Sequence, residues 1–267
     1  MAGLFNSLPI TGIARTIADV MGIDAPKQAG AAIDILCDSA KAAFKNRNAD
    51  RVLLYNPDAI ALWLYQKYTA FFEKAVLRSD IQIPLLSVMP SVTPVCFASM
   101  YSGAMPGVHG IQAYEKPVLK TDTVFDAIIR AGMKPAIVST SNDSISRIFL
   151  DRKMDYYIYD TVAECNQKAL ELIEKDGYDL LVLYNGNYDA AMHRNGPESP
   201  KSLDELKENI ETFDLLVSSV ERCWRNHRTM VGFCPDHGCH EIDGNLGSHG
   251  LDMAEDMNII HFYRFIG

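Results

Sequence analysis

Residues 178–193 read YDLLVLYNGNYDAAMH. The first half, YDLLVLYN, is a continuous apolar run with aromatic and β-branched residues, bounded by Asn and Gly. Its length predicts a buried strand rather than a helix. The second half changes character. Asp189 and His193 lie four apart, which puts both on one face of a helical turn. Carboxylate oxygen and imidazole nitrogen are both good ligands for a zinc-like cation. A buried strand running directly into such a pair predicts a ligand site at the carboxyl end of a sheet, where open α/β folds gather theirs.

The flanking sequence supports that architecture. RVLLYN (51–56), IQIPLLSVM (81–89), KPAIVST (134–140) and TMVGFCPD (229–236) read as further extended runs. Between them fall helical patterns at 121–132, 161–177 and 202–226, the first two closing at Gly132 and Gly177. Strands alternating with helices at this spacing predict an α/β fold with a mainly parallel central sheet and helices on both faces. The polar residues that follow the strands are then expected to converge. They are Asp58, Thr93, Asp189, and the pair Asp236–His237.

The stretch 234–250, CPDHGCHEIDGNLGSHG, strengthens this expectation. It holds three His, two Asp, one Glu and two Cys in seventeen residues, with four Gly that suit neither a regular helix nor a strand. His249 can join Asp189 and His193 on one cation. Asp58, Asp236 and His237 can serve a second, with Thr93 beside it. A cation next to a hydroxyl eases its deprotonation and makes Thr a usable nucleophile. Two cations about 4 Å apart stabilise the attacking and leaving oxygens of a phosphoryl transfer.

Composition narrows the alternatives. The 267 residues are 48% hydrophobic and 22% charged, an ordinary globular balance. The net charge of -9 argues against a nucleic-acid surface, which needs clustered Lys and Arg. No run approaches the roughly 20 apolar residues of a membrane helix. The N-terminus lacks the basic start and apolar core of a signal peptide. The six scattered Cys are then expected as reduced thiols, and the protein as cytoplasmic. Cys234 and Cys239 do not have zinc-knuckle spacing.

The ordered motifs resemble the alkaline phosphatase superfamily, particularly its nucleotide pyrophosphatase/phosphodiesterase branch. PSVTPVCFASMYSGAMPGVHGI (90–111) resembles the nucleophile segment, VLLYNPDA the first strand with its metal Asp, YDAAMHRNGP the Asp-x-x-x-His motif, and PDHGC with GSHG the Asp-His-Gly and His-Gly pair. The resemblance runs from about residue 51 to 260. It implies a single alkaline phosphatase-like domain over 1–267, with about the first 45 residues helical and peripheral and no large cap domain. It also implies Thr93 as nucleophile, Asp58, Thr93, Asp236 and His237 around one cation, and Asp189, His193 and His249 around the other. The reaction implied is attack by Thr93 on a phosphodiester or pyrophosphate, then hydrolysis of a phospho-threonine. Three Asp and three His suit zinc and admit manganese. The partner implied is a small phosphorylated substrate.

Cys96 stands where that branch usually has Asn three residues after the nucleophile, and Ala59 stands where Gly commonly follows the metal Asp. Cys96 is expected as a small neighbour of the bound phosphate. His109 is expected as structural, His240, Glu241 and Asp243 as solvated loop residues, and His227 and His261 as surface or packing residues. The rivals are a phosphomonoesterase or phosphomutase with the same metal pair, a non-catalytic member, and a metal-free Thr/Ser-His-Asp hydrolase. Release of phosphate separates hydrolase from mutase, and resistance to chelators marks the last.

Overall fold

The computed structural model describes residues 4–267. Its centre is a seven-stranded sheet formed by β1 (Arg51–Pro57), β2 (Ile81–Leu86), β3 (Pro135–Thr140), β4 (Asp155–Tyr159), β5 (Leu180–Asn185), β6 (Thr229–Phe233) and β9 (Asn258–Ile266), in the order β2-β9-β6-β1-β5-β3-β4. The five strands from β6 to β4 are mutually parallel, whereas β9 pairs antiparallel with both β6 and β2. A short hairpin of β7 (His240–Ile242) and β8 (Leu246–Ser248) stands apart from this sheet.

The reason for the apolar runs is visible in the two cores. On β5, Leu180, Val182 and Tyr184 face one hydrophobic cluster, while Leu181 and Leu183 face the other. On β1, Val52 and Leu54 face the first, and Leu53 and Tyr55 the second. Successive side chains point to opposite faces, so a strand covered on both sides must be apolar at every position. Each such Leu or Val contributes about 1.5–3 kcal/mol by leaving water.

Helices cover both faces. Val124–Arg130 begins at Thr123 and Val162–Lys175 at Thr161, each with a reciprocal capping box to Asp126 and Glu164. The long helix Pro200–Cys223 starts at Ser199, with Pro200 at its first position. In the N-terminal segment, Gly12–Met21 and Asp34–Ala43 are helical. Gly12–Met21 buries Ile13, Ala14, Ile17, Ala18, Val20 and Met21, and contacts the helices Thr93–Ser102 and Val124–Arg130. Spacing of Ile13, Ile17, Val20 and Met21 gives it an apolar stripe that needs such a partner. Strands β4 and β9 are not among those expected. β4 is a partly exposed edge, and β9 follows the metal-capable loop with only the single turn Ala254–Met257 between.

β3, β5, β1 and β6 are neighbours and parallel, so their carboxyl ends lie along one edge. Asp143 follows β3, Asp189 follows β5, Asp58 follows β1, and Asp236–His237 follow β6. The fold therefore delivers four carboxylates and an imidazole to a single edge. Among the described residues, no helix is long and apolar enough to cross a membrane. All six cysteines are free.

Candidate metal centre

Two groups of three ligand-type side chains form at this edge. Asp58, Asp236 and His237 make one, and Asp189, His193 and His249 the other, with potential ligand atoms within 4.8 Å of one another in each. The six expected residues are thus brought together in the two expected sets.

The first set is sealed. His237 Nε2 lies 3.3 Å from Asp58 Oδ1 and 3.4 Å from Asp236 Oδ2, with the three side chains 0–2% exposed. Burial raises the pKa of Asp58, helped by the charge of Asp189. It also raises that of Asp236, with Asp58 adding to the effect. Both carboxyls are out of water and oppose each other's ionisation. Tyr184 donates its hydroxyl to Asp58 Oδ2. The Ala59 N–H approaches Asp236 Oδ1 at 3.4 Å, and Ala59 does so at φ +63°. That left-handed conformation explains why Gly suits the position: an L side chain there costs about 1–2 kcal/mol.

The second set is more open. His193 is 41% exposed and sits four residues after Asp189 on the helix Asn187–Asn195, 3.3 Å from Asp189 Oδ1. His249 Nε2 lies 3.1 Å from His193 Nε2 and 3.5 Å from Asp189 Oδ1. Pairing with Asp189 pushes the His193 pKa up to about 9. Burial, then the neighbouring His237, takes that of His249 down to about 3. One proton on His193 thus sits where three ligand atoms converge.

Three backbone carbonyls orient the imidazoles. Nδ1 of His193 faces Gly247 O, that of His249 faces Ser91 O, and that of His237 faces Gly238 O, each at 2.9 Å. A carbonyl only accepts, so each Nδ1 carries the proton and each Nε2 is aimed into the site, as metal-ligating histidines are held. In addition, Asp58 Oδ1, Asp189 Oδ1 and Asp236 Oδ2 are buried with no hydrogen-bond partner among the described residues. Such orphaned oxygens are costly unless a cation faces them. Ligand bonds of about 2.0–2.1 Å at tetrahedral angles place ligand atoms about 3.3 Å apart, which is the spacing seen. The residues fit two divalent cations.

Thr93 is the first residue of the helix Thr93–Ser102, not a loop residue, and it is buried. Its Oγ1 lies 3.4 Å from Asp58 Oδ2 and 3.3 Å from His237 Nε2. The positive end of the helix points the same way. Cys96 lies elsewhere than expected. One turn further along this helix, its Sγ is fully enclosed, 3.1 Å from Ser87 Oγ, which in turn donates to Asp236 O at 2.6 Å. Burial pushes its thiol well above the ordinary range. It supports the back of the first set and has no exposed surface to offer a phosphate.

His109 is buried, with Ser99 Oγ at 2.9 Å, and burial lowers its pKa to about 4. Glu241 and Asp243 are exposed. His240 is not a free loop residue: its Nδ1 pairs at 2.7 Å with Asp256, which is fully buried and also accepts from Leu251 N. His227 is part-buried against Asp176. His261 is buried and holds Pro235 O at 2.7 Å, bracing the turn that carries Asp236. Sequence reasoning misses Tyr184 altogether. Its one signal is its place at the end of the strand that leads to Asp189.

The sheet order and the double triad define an alkaline phosphatase-like α/β fold. Solved structures of similar fold include ectonucleotide pyrophosphatase/phosphodiesterases and a phosphonate hydrolase. Human ectonucleotide pyrophosphatase/phosphodiesterase 5 superposes with a TM-score of 0.62 at 14% identity, over 80% of this chain and 87% of that one. The murine protein, as an inactive form in complex with AMP, gives 0.57 at 18%, over 73% and 59%. Phosphonoacetate hydrolase from Sinorhizobium meliloti, in complex with phosphonoformate, gives 0.52 at 16%, over 72% and 57%. In sequence, the human ectonucleotide pyrophosphatase/phosphodiesterase family member 7 is 28% identical over 91 residues, 34% of this chain and only 18% of that protein. No family model matches the chain.

Proposed function

We propose that this protein is a metal-dependent phosphoesterase of the phosphodiesterase or nucleotide pyrophosphatase type, with Thr93 as nucleophile and two divalent cations, of which zinc suits the ligands best and manganese is admitted. The observation that carries the reading is the set of three orphaned carboxylate oxygens, one on each of Asp58, Asp189 and Asp236, facing imidazole Nε2 atoms beside the Thr93 hydroxyl. Asp58, Asp236 and His237, with Thr93, would hold one cation, and Asp189, His193 and His249 the other. When bound, the cations lower the proton affinity of a nearby hydroxyl and neutralise charge on a phosphoryl group.

The chain's own residues do the rest. Asp58 Oδ2, already occupied by Tyr184, and His237 Nε2 hold the Thr93 oxygen in a narrow range of positions, so attack needs little reorganisation. The Thr93 O–P bond forms as the bond to the leaving-group oxygen breaks. Water then cleaves the phospho-threonine and restores the hydroxyl. The open side at His193 gives the second set access to solvent. The AMP bound by the murine relative and the phosphonoformate bound by the bacterial hydrolase favour a small phosphorylated ligand. The six free thiols support work in a reducing compartment, consistent with a cytoplasmic protein.

Elemental analysis combined with turnover of p-nitrophenyl mono- and diesters tests the proposal. Two divalent equivalents and release of product are expected. Thr93→Ala should keep both equivalents and the melting temperature, lose the trapped phospho-enzyme and slow turnover by ~10³-fold or more. Parental turnover in Thr93→Ala would assign the attack to another group. An isomerised product without phosphate release would make the protein a mutase.

A further inference from the structure

We propose that the cavity on the amino side of β3 and β4 is a second, non-catalytic binding site for a small polyanion, an oxyanion with two or more negative charges. The inference is independent of the phosphoesterase reading, because neither Thr93 nor any residue of the two triads lines this cavity.

Placement is the first argument. The cavity measures about 560 Å³ and lies between Lys27, residues 118–122, the helix Val124–Arg130 and residues 150–153. That helix leads into the start of β3, and residues 150–153 lead into the start of β4. Both strands run parallel to β5 and β1, so their amino ends lie at the edge opposite the metal centre. The walls are already tied together. Lys27 N donates to Asp122 Oδ2 at 3.0 Å, and Arg152 Nη2 donates to Leu119 O and Thr121 O, each at 3.1 Å. A cavity braced in this way has little left to order when a ligand arrives.

The second argument is charge. The lining holds five Lys or Arg and three Asp, whereas the chain has 25 Lys and Arg against 34 Asp and Glu. The sign of the charge is therefore reversed locally, and an anion repelled by most of the surface is drawn here. The carboxylates are also engaged. Asp122 accepts from Arg130 Nη1 at 2.5 Å, in a pair that Asp24 reinforces from outside. Asp126 Oδ2 accepts from the backbone and hydroxyl of Thr123 and from Arg152 Nε. Asp151 faces Lys120 Nζ at 3.4 Å. Lys27 and Lys153 make no ion pair among the described residues.

The third argument is Arg152. Its side chain is only 7% exposed, and its guanidinium carbon lies 5.7 Å from the Phe149 ring centroid. A guanidinium has five N–H donors. Nε and Nη2 are spent on Asp126, Thr123 and the two carbonyls, while Nη1 has no hydrogen-bond partner among the described residues. An enclosed cation with donors to spare gains by meeting an acceptor, and its planar fork matches phosphate or carboxylate oxygens. Arg152 at the floor and the exposed Lys27 and Lys153 at the rim give one cavity three unpaired cationic donors.

Calorimetry tests the site with inorganic pyrophosphate and with tricarballylate, each on the chain before and after loading with zinc. One equivalent of at least one probe should bind in both states. Pyrophosphate alone makes the ligand a phosphate, tricarballylate alone a carboxylate, and both together a site that reads charge. Lys27→Met with Lys153→Met should weaken the binding about tenfold or more and leave the melting temperature unchanged. Arg152→Lys keeps the charge but loses the fork, and should weaken it as well. The control pair Lys201→Met with Lys207→Met, exposed on the helix Pro200–Cys223 and outside the cavity, should change nothing. Absence of binding, binding confined to the zinc-loaded chain, affinity untouched by the Lys27 and Lys153 changes, or equal weakening in the control pair overturns the proposal.

Discussion

The two triads use similar ligands in opposite surroundings. Asp58, Asp236 and His237 are shut off from solvent and hang on the ends of two central strands, β1 and β6. Asp189, His193 and His249 combine a helical turn with the end of a hairpin, and His193 is 41% exposed. The first set carries two carboxyls whose pKa values burial raises, with Asp58 adding to the rise at Asp236. The second carries one carboxylate that can satisfy itself with a proton on His193. The contrast teaches that the buried set would need a cation to offset two enclosed carboxyls, whereas the half-open set has an alternative in the His193 proton.

Three experiments break or sharpen this contrast. The largest effect is in metal release. A competing chelator should strip the cation at Asp189, His193 and His249 first, leaving one equivalent that departs at least about tenfold more slowly because its site must open to exchange. Elemental analysis along the time course reads this out, and a single release phase would abolish the distinction. Next is stability without metal. Asp58→Asn removes one of two opposed buried carboxyls and should raise the stability of the chelated protein by about 1–3 kcal/mol, while Asp189→Asn should not. Calorimetric unfolding of the two chelated variants decides, and equal shifts would mean that burial does not separate the sets.

The smallest effect is in pH dependence. In the chelated fold His193 has a pKa of about 9 against 6.5 for an ordinary His. The folded state therefore holds this proton more tightly than the unfolded chain. The stabilisation is complete below about 6.5 and is lost as pH rises through 9. His249, lowered to about 3, is neutral in the fold while the unfolded chain still titrates near 6.5, so it opposes the trend only at the lower end of that window and drops out above about pH 7.5. The melting temperature of the chelated protein should fall slightly between pH 6.5 and 9, and His193→Gln should flatten that slope. A slope unchanged in the variant would place the titration elsewhere.

Much of the site is legible from residue spacing. Asp189 and His193 four apart, and Asp236 next to His237, put ligand pairs together whatever the rest of the chain does. Strand ends are equally legible, because runs such as LLVLYN have no polar residue until the sheet edge. Cys96 is the instructive failure. Three residues from Thr93 on a helix means nearly one full turn, but the rotation that remains carries the thiol into the protein toward Ser87. Linear distance from a nucleophile does not report which side of a helix a residue occupies. The N-terminal helix Gly12–Met21 shows the same division: its apolar residues are plain in sequence, but not the helices against which they pack.

The sequence by itself determined that apolar strands alternate with helices, that the sheet is mainly parallel, and that six metal-capable side chains follow its strands. These are consequences of local periodicity and of residues close together in the chain. Only the tertiary structure decided that the six divide into a buried and a half-open set. It also decided that Tyr184 holds one oxygen of Asp58, and that Gly247, Ser91 and Gly238 set the imidazole tautomers. Each of these depends on contacts between segments that only strand order and helix packing bring together, and on a low-dielectric interior that exists only once the sheet is covered.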